Sequence, residues 1–136
     1  MPSGYSGTPL IKKLGIKPFT RALFVGAPKN YGQFLGPLPE GVSVVTARRG
    51  HLDFVHLFTT RRAELKKALP KMMAAIFPDG VIWVSWPKKV SKVETDITED
   101  VIRDVALPLG LVDIKVCAVD ETWSGLKLVV RKEKRR

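Results

Sequence analysis

The chain of 136 residues contains one cysteine, Cys117, and two histidines, His51 and His56. A single thiol excludes an intrachain disulfide and any cysteine-rich metal site, and its setting between Val116 and Ala118 reads as a small buried apolar residue. The histidines lie five positions apart in strand-like sequence and give neither a metal-ligand pattern nor a general base, so no metal is expected. Ser85 and Ser124 lack the glycine-flanked turn of a hydrolase nucleophile. No phosphate-binding loop, EF-hand or zinc pattern occurs. No apolar run approaches the ~18–20 residues of a membrane span, and the N-terminus has no signal-peptide segment. A cytoplasmic protein without a membrane partner is the expectation.

Acid is scarce in the first half. Residues 1–68 hold 11 basic and 3 acidic groups, against 12 and 10 in residues 69–136, within a formal net charge of +10. Such an excess favours anionic small molecules or nucleic acid as partners, and it also keeps a protein in solution. The acids that exist cluster between Glu94 and Asp113, where capping and solvation account for Asp96 and Asp100.

The length and a hydrophobic content of 45% fit one domain, expected over residues 1–131, followed by a basic tail at 132–136. The sentence Thr8-Pro9 through Gly15 predicts a short helix, with Thr8 as cap and Gly15 past the end. Strands are predicted at Arg21–Gly26, Val42–Thr46, Asp53–Thr59, Val81–Trp86, Val112–Asp120 and Leu126–Arg131, the last two as a hairpin. Pro28–Leu35 is a short helix candidate. The longest helix runs from Arg61 to about Phe77, with Leu65, Leu69, Met72, Met73 and Ile76 on one stripe and a kink or restart expected at Pro70. Another helix starts at Thr98 and stops at Pro108 and Gly110.

Val81–Trp86, introduced by the turn Pro78-Asp79-Gly80, is apolar on both faces and belongs in the middle of a sheet covered on both sides. Alternating strands and helices then imply a three-layer α/β sheet, parallel except for its last strand. One connection is too short for a normal crossover, since only Ala47–Leu52 joins the second strand to the third. That strand is therefore short and at an edge, or not parallel.

The approach and first strand, Leu14–Gly26, the turn and strand Phe77–Val84, and the terminal pair Gly110–Asp113 with Trp123–Val129 resemble a shortened class I methyltransferase, a Rossmann-like fold. The resemblance implies a strand order 2-1-3-4-6-5 and S-adenosylmethionine as a cofactor. The residues depart from that family at the cofactor positions. Only Gly26 remains of the glycine-rich loop, with Pro28 and Asn30 following it; Phe24 replaces an acid in the first strand; Thr46-Ala47-Arg48-Arg49 replaces the acid that grips the ribose. Canonical cofactor binding is therefore disfavoured. The stretches Gly4–Leu10, Trp86–Lys89, Thr95–Val101 and Val116–Leu128 are also similar to a family of small bacterial proteins forming a domain of unknown function, which implies no activity.

In such a sheet the carboxyl ends of the strands share one edge, where open α/β folds bind ligands. The candidate ligand-binding residues there are Gly26, Lys29, Arg48, Thr59, Thr60, Arg61, Trp86, Lys88 and Lys89. The cations would supply charge, the threonines hydrogen bonds at a helix start, and Trp86 a flat wall. No catalytic residue stands out. The leading expectation is a non-catalytic binding domain for a phosphate- or nucleotide-like anion. A divergent methyltransferase and a nucleic-acid-binding protein are the alternatives.

Overall fold

A computed structural model describes residues 9–46 and 50–135. Its chain order is α1 (Leu10–Leu14), β1 (Arg21–Val25), α2 (Tyr31–Leu35), β2 (Ser43–Val45), β3 (Leu52–Phe58), α3 (Arg62–Ala75), β4 (Ile76–Pro87), α4 (Glu99–Ala106), β5 (Leu111–Ala118) and β6 (Trp123–Val130). The strands form one sheet in the order β2-β1-β3-β4-β6-β5. β2, β1, β3 and β4 run parallel, and β6 pairs antiparallel with both β4 and β5. This is the expected three-layer α/β arrangement.

The layers follow from side-chain alternation. Leu23, Val55, Leu57, Ile82, Val84 and Trp86 point to the face covered by α3 and α4, where Leu65, Leu69, Met72, Ile102 and Val105 meet them. Ala22, Phe54, Phe58 and Trp83 point the other way, under Leu10 and Leu14 of α1 and Tyr31 and Leu35 of α2. β4 therefore has a core on each side, as its apolar run requires. Trp83 is fully buried and donates its indole Nε1–H to the Leu14 carbonyl at 2.8 Å, which ties α1 to the central strand. Gly125 on β6 makes room for that ring: a Cβ there would stand 3.1 Å from Trp83 Cε3.

Two sequence expectations are corrected. α3 does not restart at Pro70, which lies inside one helix. Pro70 faces solvent, so the Lys66 carbonyl that it cannot satisfy is open to water. The Pro78-Asp79-Gly80 turn is part of β4: Phe77–Gly80 bulges opposite the single residue Asp53, between the pairs Leu52↔Ile76 and Phe54↔Val81. The cap proposed for α1 at Thr8 lies outside the described residues, whereas Gly15 ends that helix with φ +79°.

The short connection is resolved by the length of β2. It has three residues, sits at the sheet edge, and is parallel to β1. Val45 is level with Leu23 and so with Val55, about three residues beyond the start of β3. The return is then a diagonal of about 14 Å across two strand spacings, within the ~20 Å reach of six residues.

The last helix is tied down by charge. Thr98 accepts from Val101 N–H at 3.2 Å, and Arg103 pairs with Glu99 at 2.9 Å, Asp100 at 3.1 Å and, across to β5, Asp113 at 3.0 Å.

Two substitutions test the core. Leu69→Ala is expected to lower unfolding free energy by about 2–5 kcal/mol. Trp83→Phe, which strands the Leu14 carbonyl, is expected to lower it by about 1–3 kcal/mol. Urea unfolding at neutral pH measures both.

Candidate functional site at the carboxyl edge

The chain leaves β1 towards β2 on one side and returns to β3 on the other, so the sheet's switch point lies between the carboxyl ends of β1 and β3. Gly26 stands there with φ +69°. A Cβ on it would meet the Phe58 carbonyl oxygen at 2.6 Å. The glycine thus lets the loop after β1 press against the backbone at the end of β3.

Next to it is a hollow of about 280 Å³, floored by Val25, Gly26, Leu57 and Phe58 and walled by Glu64, Lys67, Ala68 and Lys71 of α3. It exists because six residues between β2 and β3 leave no length for a crossover helix over this part of the sheet. Lys67 and Lys71 are exposed and take part in no ion pair among the described residues. Neither lysine stands out in the sequence, because a lysine on an exposed helix face is ordinary. The signal was the spacing: Glu64, Lys67, Ala68 and Lys71 recur at i, i+3, i+4 and i+7, one helix face.

Among the described residues, the expected ligand residues Gly26 and Thr59 line this hollow, whereas Thr60 and Arg61 line another. Lys29 and Lys89 are exposed, and Lys88 is half-buried beside the hairpin, its N–H donating to the Thr122 carbonyl at 2.8 Å. Arg48 lies outside the described residues. Trp86 is only 8% exposed and packs within the core cluster under α3 and α4, so its ring is no open wall. Thr59 is buried, and its Oγ1 sits 3.3 Å from both Arg61 N and Arg61 O. The start of α3 is already served by an internal anion: Asp96 Oδ1 accepts from Arg62 N–H at 2.7 Å. Thr60 and Arg61 share a second hollow, about 280 Å³, with Glu94, Thr95 and Asp96. Two carboxylates there stand against the single cation Arg61.

Beneath the edge lies a buried polar chain. His56 Nδ1 is 2.7 Å from Tyr31 Oη, and His56 Nε2 is 2.7 Å from Ser85 Oγ. All three residues are buried, which keeps Ser85 from any substrate. A neutral imidazole satisfies both neighbours, donating from one nitrogen and accepting at the other. Its ring stacks on Phe58 at 4.1 Å between centroids, and Tyr31 packs edge-on against Phe24, Phe34, His56 and Phe58. Nothing along the chain points to this network, because partners 25 and 29 positions from His56 meet only in the fold.

Burial lowers the His56 pKa to about 3 and raises that of the Tyr31 phenol. The unfolded histidine titrates near 6.5, so between about 6.5 and about 3 the unfolded chain binds the extra proton. Stability from this group is therefore full above that window and falls as pH drops through it, by up to about 1.4 kcal/mol per pH unit. The His56 ring resonances are expected to stay those of neutral imidazole at pH 5 in an NMR titration. A midpoint near 6.5 would show that the ring is not sealed.

No family model matches the chain, and no curated protein matches its sequence. Solved structures do match. A SAM-dependent methyltransferase from Aquifex aeolicus superposes with TM-score 0.59 at 16% identity, over 89% of this chain and 88% of that one. A TehB-like SAM-dependent methyltransferase from Corynebacterium glutamicum gives 0.56 at 11%, over 90% and 85%. TrmN from Thermus thermophilus gives 0.54 at 11%, over 89% of this chain but 47% of its own length. At these identities the likeness concerns the fold, and the fold of this chain is the Rossmann-like fold of the class I SAM-dependent methyltransferases.

Proposed function

We propose that this protein is a non-catalytic binding domain that holds a small phosphate- or nucleotide-like anion at the carboxyl edge of its sheet, in the hollow between β1, β3 and α3. The observation that carries the reading is the pairing of an apolar floor, Val25 and Leu57, with two lysines, Lys67 and Lys71, that are in no ion pair among the described residues, at the switch point. An anion there gains two charge-assisted contacts without displacing an internal partner.

The fold implies S-adenosylmethionine, and the residues present do not fit it. The loop after β1 lies against the Phe58 carbonyl at Gly26 rather than leaving its backbone open. Tyr31 of the following helix is committed to His56 and Phe58. The residues after β2 are Thr46, Ala47, Arg48 and Arg49, with no carboxylate to accept from a ribose diol. Glu64 is the one carboxylate lining the hollow, and it belongs to α3.

Titration calorimetry with pyrophosphate tests the proposal. Binding is expected, with Lys67→Ala and Lys71→Ala together weakening it at least about tenfold and Lys132→Ala leaving it unchanged. Absent binding, or affinity untouched by the double substitution, sinks it. A divergent methyltransferase remains the second reading, favoured by the matching folds. It requires SAM to raise the melting temperature, since a ligand at 100 times its Kd stabilises by about 2.7 kcal/mol. An unchanged melting point at millimolar SAM rejects it.

A further inference from the structure

The opposite, amino edge of the sheet carries a larger hollow, about 380 Å³, that the reading above does not use. It is built by the loop from Gly15 to Thr20 together with the starts of β3 and the inner part of β4 and by Lys127 of β6. Phe19 forms one wall. Its φ is +65°, a left-handed conformation that a bulky residue rarely adopts, and the residue is 70% exposed. The backbone is held there by Phe19 N–H donating to the Glu40 carbonyl at 2.9 Å, and the ring lies on Gly41, where a Cβ would stand 2.2 Å from Phe19 Cδ1. An aromatic ring is thus presented to solvent at a conformational cost that its own burial does not offset.

Lysines form the other wall. Lys127 and Lys17 line the hollow, and Lys115 is the direct cross-strand partner of Lys127. Like charges at directly opposed strand positions are destabilising. Burial, then the nearby Lys115 and Lys17, lower the Lys127 pKa. Among the described residues neither Lys17 nor Lys127 is in an ion pair. Asp53 and Asp79 also line the hollow. Asp53 Oδ2 accepts from Arg21 N–H at 2.9 Å, and neither carboxylate comes within ion-pair distance of Lys17 or Lys127.

We propose that this amino-edge hollow is a second binding site, for a small molecule with a phosphate or carboxylate seated between Lys17 and Lys127 and a flat ring laid against Phe19. The anion relieves the lysine repulsion, and the ring covers the exposed aromatic face. A volume of about 380 Å³ suits a mononucleotide-sized ligand rather than a polymer.

The probe is AMP, with adenosine and inorganic phosphate as its separated halves, read by amide chemical shifts and titration on the intact chain. AMP is expected to shift Lys17, Phe19, Thr20 and Lys127 and to bind at least about tenfold more tightly than either half. Lys127→Ala and Phe19→Ala are each expected to weaken AMP about tenfold or more at this edge, while Lys67→Ala with Lys71→Ala does not. Shifts confined to the carboxyl edge, equal affinity for AMP and adenosine, or no shifts at all overturn the proposal. The first of these outcomes leaves the carboxyl-edge reading standing.

Discussion

Six residues separate the end of β2 from the start of β3, and much of the architecture depends on that limit. A chain of this reach cannot carry a crossover helix between parallel strands on either side of β1. It can make the return only because β2 stops after three residues at the level of Leu23. The same economy leaves part of the sheet uncovered beside α3. The hollow at the switch point is the direct result, and so is its composition: strand residues Val25 and Leu57 form its floor, and the flank of α3 supplies charge.

On the other face the problem of burial is solved with rings. α2 has five residues, too few to cover a sheet by backbone alone, yet it contributes Tyr31, which contacts Phe24, His56 and Phe58. The hydroxyl of Tyr31 and that of Ser85 each need a partner once buried, and His56 supplies both. This arrangement holds the segment after Gly26 against the sheet. It also spends the volume and polar groups beside the switch point on structure.

Charge shows a similar division. The acids between Glu94 and Asp113 are absorbed by structure: Asp96 serves the start of α3, and Glu99, Asp100 and Asp113 surround Arg103. The lysines of the two hollows have no such partners among the described residues. Each edge of the sheet thus presents two lysines in a hollow, and the two patches differ in character. One has an aliphatic floor, while the other is faced by an exposed aromatic ring.

The fold was largely legible because it rests on local periodicity. Apolar residues on both faces of Val81–Trp86 placed β4 at the centre, the Leu65–Leu69–Met72 stripe gave α3, and strand order followed from alternation and a terminal hairpin. The sequence also identified the β2 connection as the anomaly, because chain reach is counted in residues. The site was much less legible. Trp86 reads as a surface wall beside Pro87 and Lys88, but its face of the strand turns into the core. Asp96 gives no hint that it caps a helix starting 34 positions earlier, and Lys67 and Lys71 look like ordinary solvated charges until β1 and β3 come to lie beneath them. Periodicity along the chain determines which face each residue takes. Which distant groups then meet on that face depends on packing across the sheet, and only the tertiary structure decides it.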